Sequence, residues 1–410
     1  MRGALRIRSF RVLAGAYTLN ELGDWLATIA LAVLVYDHTG DALATTALFI
    51  STKFLPSLLV PALTAHLERI PVARTLGALY VAEALAFAGL ALSASAFSLV
   101  LVCMLAFADG TLAVTGRAVT RAATVALLEP AGVLREGNAA LNVGFATMNV
   151  AGPALAGLVV ATGGSSLALA LAGALFLGLA ALLLSARGLP NGTTDDSPWL
   201  ERLRGGAAYV WAHPVARPLI AAQAGLLVLF MLVVPIEVVY AKQTLGVGDA
   251  GFAALVTAWG VGIVAGSIVF ARLRDRSLIG VAGVSTVAIG VGYLGMSAAP
   301  GLELACAAAV VGGTGNGVQW VAVVTALQEA VDAPMQARVA GFFEAIATAM
   351  PGIGFILGGT LAATMSPRAA FAVAGAGVLL VVAGGVFVVR RRNPQARRLR
   401  GLAAFVRYQR

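Results

Sequence analysis

Four charged residues lie near the middle of long apolar segments in the first half of the sequence. They are Asp24, Lys53, Glu83 and Asp109. A charged side chain in hydrocarbon costs roughly 2.5–3.5 kcal/mol on insertion scales, so residues of this kind are functional candidates. Burial disfavours the charged form of a carboxylate and a nearby cation favours it. Such groups are therefore suited to binding and releasing a proton as their surroundings change.

Helical spacing arranges these charges into two polar stripes. One stripe contains Asn20, Asp24 and Thr28 at four-residue steps, with Tyr17 near it and Glu21 one turn from Asp24. The other contains Asp109, Ala113, Arg117 and Arg121, also at four-residue steps. Both stripes are expected to face a central cavity.

We predict that Asp24 and Asp109 bind and release a proton whose movement is coupled to the activity of the protein, with Glu83 and Glu21 as further candidates for this proton coupling. Lys53 and Arg117 are the expected charge partners within the membrane. Lys53 has two other interpretations. It could contact an anionic substrate, or it could form a static pair or extend its ammonium group to the membrane surface. For Glu83 the alternative is structural packing.

Several polar and aromatic residues share faces on other segments and are candidates for contact with a substrate. Hydrogen bonding between helices, worth about 0.6 kcal/mol, is the alternative interpretation for such side chains. In the second half the charged candidates are Glu237 and Glu344, near segment ends, which places the expected proton coupling in the first half. Together with the stripe residues Tyr17, Asn20 and Thr28, the candidates are Asn142, Gln223, Phe230, Gln319 and Trp320.

The composition determines the solvent in which these segments fold. Of 410 residues, 60% are hydrophobic and 11% are charged, and the mean hydropathy is +0.91. Soluble domains carry roughly 25% charged residues, so this chain is predicted to lie in a bilayer. Its long uninterrupted apolar runs are typical of membrane helices, since a β-barrel requires short alternating segments.

A membrane span needs about 20 apolar residues, and twelve segments qualify. Residues 188–215 form the one long connection, with Pro190 and Asn191 followed by an amphipathic segment from Trp199 to Trp211. We predict a six-helix bundle over 1–187, a cytoplasmic linker over 188–215, a second six-helix bundle over 216–390 and a basic tail over 391–410. The predicted spans are 12–36, 42–66, 72–93, 97–120, 138–161, 166–187, 216–240, 250–271, 278–298, 301–326, 339–364 and 368–390.

Basic residues set the expected orientation. If both termini are cytoplasmic, every Lys and Arg except Lys53, Lys242 and Arg368 falls on the cytoplasmic side. This distribution follows the positive-inside rule and explains the net charge of +9 without a nucleic-acid partner. The basic tail is expected to contact anionic lipid of the cell membrane.

The two halves resemble each other weakly, as expected of a transporter built from two repeats around a central cavity. The segment from Gly152 to Gly157 has a counterpart from Gly354 to Gly359.

Four groups of residues are typical of one family of membrane proteins: 22–25 with 30–44, 55–59, 121–130 with Asn138, and 325–341. Through them the sequence resembles the major facilitator superfamily, and within it the drug:proton antiporters that include macrolide-efflux and enterobactin-export permeases. The resemblance covers nearly the whole chain. It implies two pseudo-symmetric bundles of six helices that rock to give alternating access.

Two family motifs imply roles for particular residues. The loop after the second span keeps an acid–Arg pair, Glu68 and Arg69, followed by Arg74, and the family uses this loop as a conformational latch. The leading glycine, the second glycine and one of the paired basic residues of the family pattern are missing. The antiporter motif of the fifth span ends in Gly152, Pro153 and Gly157, where small residues allow close helix packing.

Other chemistry is not indicated. The sequence has no phosphate loop of the Gly-x-x-x-x-Gly-Lys type, and His38, His66 and His213 are scattered. We therefore predict no enzyme activity, no metal and no cofactor.

The expected function is proton-coupled export of small amphipathic molecules by a monomer in the cell membrane. A dedicated exporter of one metabolite or siderophore is the first alternative, followed by an uptake permease. A membrane sensor that does not transport is an alternative of another class, since fold does not establish function.

Overall fold

The computed structural model describes residues 3–67, 70–94, 96–190, 199–273, 276–332 and 335–392. Within these ranges the chain forms helices joined by short turns. The helices of the first half are α1 (Arg8–Thr39), α2 (Ala42–Phe49), α3 (Leu55–Leu67), α4 (Val72–Ser93), α5 (Leu99–Leu128) and α6 (Leu134–Ser185). They are followed by α7 (Trp199–Ala212), α8 (Ala216–Met231), α9 (Glu237–Val239), α10 (Asp249–Ala271), α11 (Leu278–Ala298), α12 (Leu302–Ala330), α13 (Gln336–Thr364) and α14 (Pro367–Arg392).

Local sequence explains where several helices begin and end. The carboxylate of Asp41 accepts a hydrogen bond from the Leu43 amide at 2.9 Å and so caps α2. The hydroxyl of Ser277 accepts from the Gly280 amide at 3.4 Å at the start of α11. Helix α1 ends at Gly40, whose φ of 63° is accessible to glycine without strain.

Gly164 divides α6 into two antiparallel helices. Its φ of 76° and ψ of 173° lie in a region that is essentially restricted to glycine. Trp25 packs against Gly152, and Phe176 packs against Gly23, so the chain on both sides of Gly164 returns to the same part of α1.

This reversal explains why the described residues form eleven long apolar helices although the sequence predicts twelve spans. Among the described residues, eleven helices are long and apolar enough to cross a membrane, and one of them, Glu136–Ser185, is 50 residues long. Because that helix folds back at Gly164, it holds both the fifth and the sixth predicted span. The prediction of an all-helical, multi-pass membrane protein is confirmed.

The helices pack mainly within two groups, residues 8–185 and residues 216–392, which are called the first and second halves below. In the first half α6 packs on α1 and α4, and in the second half α12 packs on α10 and α11. Helix α7 lies within the linker and docks on α13. The Tyr209 hydroxyl of α7 donates to Asp332, which lies between α12 and α13, at 3.0 Å. Contacts between the halves are made by α6 with α10 and by α2 with α13.

The glycines of the segment from Gly152 to Gly157 and their counterparts from Gly354 to Gly359 pack equivalently in the two halves. Gly152 in α6 lies against Trp25 of α1, the first helix of its own half, beside the buried Pro153. Gly354 in α13 lies against the Val228 carbonyl of α8, the first long membrane helix of its own half.

The second glycine of each motif packs across the interface between the halves. A Cβ added at Gly157 would collide with Ala253 of α10, and one added at Gly359 would collide with Thr46 of α2. These contacts lie towards the far side of the molecule, where α1 ends. The side at which α1 begins is called the terminus side.

Gly157 and Gly359 mark two glycine crossings, at which helices of the two halves touch. We expect that a larger residue at either crossing opens the far side. Gly157→Val or Gly359→Val adds atoms where the halves already touch, so the conformation with a closed far side loses stability. The measurement is the rate of maleimide labelling of Asn142→Cys, a position in the terminus-side cavity described below, in a Cys103→Ser, Cys306→Ser background. Labelling should slow as that side closes.

The matched control is Gly178→Val, because Gly178 has no atom within 4 Å of its added Cβ. Equal labelling rates in Gly157→Val, Gly359→Val and this control would show that the crossings do not bias the two conformations.

Candidate functional site

An ion pair between α1 and α5 lies at the centre of the first half. Arg117 donates a hydrogen bond from Nη1 to Oδ2 of Asp24. The two side chains are 25% and 12% exposed, so the pair is largely removed from solvent. The two polar stripes predicted from the sequence therefore meet at this pair.

Further carboxylates surround the pair without hydrogen-bond partners. Both side-chain oxygens of Glu83 are buried and unpartnered, and so are Oδ1 of Asp109 and Oε1 of Glu21. Glu83 interacts electrostatically first with Asp109, and then with Asp24 and Arg117. The structure thus brings all four predicted proton-coupling candidates into one charge cluster.

Lys53 joins this cluster from the second predicted span, through a local change in helix geometry. Residues Ile50–Phe54 form a π-helical turn between α2 and α3, a feature found frequently at functional sites. The Thr52 carbonyl of that turn lies against Gly110, where a Cβ would not fit. This close approach places Lys53 within electrostatic reach of Asp109 and Glu21.

A cavity of about 460 Å³ opens on the terminus side between the two halves. Three predicted substrate residues line it: Tyr17 and Asn142 from the first half and Trp320 from the second. Tyr17 lies one turn before Glu21 on α1, so the cavity leads towards the charge cluster. Its volume is in the usual range for sites that hold small molecules.

Other predicted substrate residues lie elsewhere. Gln319 donates to Gln223 at 2.6 Å inside the second half, and both side chains are buried. Phe230 is buried in the apolar core, where its carbonyl accepts a hydrogen bond from the Tyr293 hydroxyl at 3.4 Å. Asn20 is buried with an unpartnered Nδ2, next to the charge cluster.

The remaining predicted sites are only partly within the described residues. Thr28 is half-buried in α1, further from the terminus side than Asp24. Arg74 lies exposed near the start of α4. Glu68 and Arg69 of the predicted latch loop, and the basic tail beyond Arg392, lie outside the described residues.

Sequence reasoning missed most of the cavity wall as a substrate site. The wall includes Arg121, Asn138, Gln328, Gln336 and Glu344. A signal was present for Arg121, which continues the stripe of Arg117. For the second-half residues no local pattern indicates a shared cavity, because the cavity forms only when the two halves face each other.

On the far side, an ammonium group joins the two halves. Lys242, at the end of the seventh span, bonds Asp37 of α1 and contacts Asp249 of α10 at 2.6 Å. Its Nζ also lies 5.9 Å from the centre of the Tyr36 ring. Lys242 was an exception to the positive-inside distribution, and its two carboxylate partners account for its position. Sequence reasoning did not predict this bridge, called the far-side bridge below.

Comparison with known proteins bears on this arrangement. The sequence profile described as Major Facilitator Superfamily matches residues 219–407, and no curated protein matches the chain. The nucleoside transporter NupG superposes with a TM-score of 0.70 at 12% identity, covering 92% of this chain and 98% of that one. The chain has the major facilitator fold.

Two further solved structures agree with this fold. A bacterial homologue of the human lysosomal transporter Spinster, in an inward-facing and occupied conformation, superposes with a TM-score of 0.71 at 14% identity, covering 94% of this chain and 97% of that one. A POT family transporter in complex with 5-aminolevulinic acid gives 0.72 at 12% identity, covering 93% and 96%. The predicted major facilitator fold class is confirmed.

We expect the far-side bridge to stabilise the conformation described here. Lys242→Gln removes the charge that holds Asp37, and a contribution of about 1 kcal/mol changes the ratio of two conformations about fivefold. The labelling rate of Asn142→Cys in the cysteine-free background should therefore fall as the terminus side closes.

Arg368→Gln is the control, because Arg368 donates to the Ser297 carbonyl within the second half and does not join the halves in the contacts observed for it. If Lys242→Gln labels as fast as Arg368→Gln, the bridge does not influence the balance between the conformations.

Proposed function

We propose that the chain belongs to the major facilitator superfamily and exports small amphipathic molecules in exchange for protons. Two six-helix bundles rock about a central site, as in other transporters of this architecture. The terminus side is then the cytoplasmic side, and the protein works as a monomer in the cell membrane. The terminus-side cavity is the inward-facing substrate site in this proposal.

The observation that carries the proposal is the set of unpartnered carboxylate oxygens around the Asp24–Arg117 pair. An ionised carboxylate that is buried without a partner costs several kcal/mol, whereas a protonated one avoids most of that cost. In the conformation described here, Glu83 and Asp109 are therefore expected to hold protons. The Asp24–Arg117 pair can be explained by helix packing alone, whereas the unpartnered oxygens of Glu83, Asp109 and Glu21 stabilise no contact in this conformation.

Proton exchange then follows from a change in surroundings. Arg117 compensates Asp24 in this conformation, and Glu21 lies between this pair and the cavity wall at Tyr17. When the halves rock, water reaches a different part of the cluster, and the acids that gain water or an arginine partner release their protons. Glu21 is the candidate that links the cavity to the deeper acids.

The assignments of export as the direction of transport and of drug:proton antiport as its type rest on sequence motifs. The segment around Gly152, Pro153 and Gly157 resembles the antiporter motif of that family branch, and this resemblance supports export by drug:proton antiport. A dedicated exporter of one metabolite or siderophore uses the same fold and the same cluster, and differs in which compound drives the exchange.

The test is proton flux in inverted membrane vesicles that respiration has acidified. Macrolides, cationic dyes and siderophores are added in turn, and compound-dependent proton release is followed with a pH-sensitive dye. Asp109→Asn should lower this release at least about tenfold, since general acid–base groups contribute 100-fold or more where they act. Asp24→Asn should lower it as well.

Glu303→Gln is the control, because Glu303 is an exposed carboxylate in the first turn of α12. Normal release in both Asp24→Asn and Asp109→Asn would show that the coupling assignment is wrong. Binding of a compound without proton release, in protein that is inserted and folded, would favour a sensor over an antiporter.

A further inference from the structure

A pair of opposite charges faces across the cavity from the two halves. Nη1 of Arg121 lies 3.8 Å from Oε1 of Glu344, and the two side chains are 64% and 59% exposed. This distance exceeds that of a hydrogen bond, and exposed ion pairs contribute about 0–1 kcal/mol. The pair is therefore easily separated by a ligand that enters between the two groups.

These two groups are the charged residues among the described residues that line the cavity. The rest of the wall is amide, aromatic or aliphatic. Trp320 is 39% exposed and packs at 5.7 Å, centre to centre, against Phe343, the neighbour of Glu344. Trp320 thus offers an accessible aromatic surface on the same wall as the carboxylate.

Side-chain amides from both halves line the cavity. The side-chain nitrogen Nε2 of Gln336 donates a hydrogen bond to the backbone carbonyl of Gln328 at 3.1 Å, so the Gln336 side chain is held in place. Asn138 and Asn142 line the opposite wall. A ligand with a polar head and an apolar body can satisfy both kinds of surface.

Charge balance then selects the type of ligand. A ligand that separates Arg121 from Glu344 also removes water from both groups, and a buried charge without a partner is costly. A cation would compensate Glu344 and leave Arg121 unpaired, while an anion would do the reverse. A molecule that carries both charges compensates both groups at once.

We propose that the cavity binds small zwitterions with an apolar or aromatic body. The acidic group of the ligand pairs with Arg121, its ammonium group pairs with Glu344, and its body packs on Trp320, which also attracts cations through its ring. This inference rests on the cavity being the substrate site of the proposed function, and it narrows the class of substrate.

Such a ligand would also link the two halves. Arg121 belongs to α5 and Glu344 to α13, so one molecule bonded to both replaces their direct contact with a bridge between the halves.

The experiment measures binding to the purified full-length protein by calorimetry, with ligands matched in all but charge. One trio is tryptophan, tryptamine and indole-3-propionate, which keep the indole and carry both charges, the positive charge or the negative charge. A second trio is phenylalanine, phenethylamine and 3-phenylpropionate. In at least one trio the zwitterion should bind tenfold or more tightly than both partners.

Variants test the assignment of each charge. Arg121→Gln should reduce the affinity of the zwitterion to that of the cation, and Glu344→Gln should reduce it to that of the anion. The exchanged pair Arg121→Glu with Glu344→Arg should recover part of the lost affinity. The control is Arg217→Gln, because Arg217 packs on Trp211 away from the cavity.

The outcomes separate this inference from the proposed function. Cation binding as tight as zwitterion binding in both trios, or no zwitterion binding at all, overturns the inference. If cationic dyes then still drive proton release in vesicles, the proposed export stands without it. Zwitterion binding that depends on Arg121 and Glu344 supports the inference even where Asp109→Asn leaves proton release unchanged.

Discussion

The ion pair between Asp24 and Arg117 is the interaction on which the first half depends. A guanidinium group in the middle of a membrane bundle needs a carboxylate nearby, and Asp24 provides it from the facing helix. Once this requirement fixes α1 against α5, the neighbouring acids Glu83, Asp109 and Glu21 are held with buried oxygens that have no hydrogen-bond partner. The same pair that stabilises the bundle therefore creates the conditions under which its neighbours are expected to hold protons.

The two ends of the interface between the halves are closed to different degrees. On the far side, one ammonium group is shared by two carboxylates and is mostly buried. On the terminus side, Arg121 and Glu344 stand 3.8 Å apart in an open cavity. The stronger contact closes the far side and the weaker one leaves the terminus side accessible. The conformation follows from this imbalance together with the glycine crossings at Gly157 and Gly359.

Much of this architecture could be predicted from the sequence, because each helix must bury its own backbone in lipid. Apolar length placed the spans, and four-residue spacing placed Asp24 and Arg117 on facing stripes. The cavity wall and the far-side bridge could not be predicted in this way, since Lys242 and Asp37 are distant in sequence and meet only when the halves assemble. The π-helical turn that carries Lys53 was also missed, because a one-residue change in helix winding leaves no periodic signal.

The reversal at Gly164 has a consequence for how the protein is made. A single glycine turns α6 back on itself, and the next residues continue as helix. No loop separates the fifth and sixth spans at this point, so the two are expected to enter the membrane together as one hairpin. Gly164 is thus expected to act while the protein is inserted, before any substrate or proton is bound.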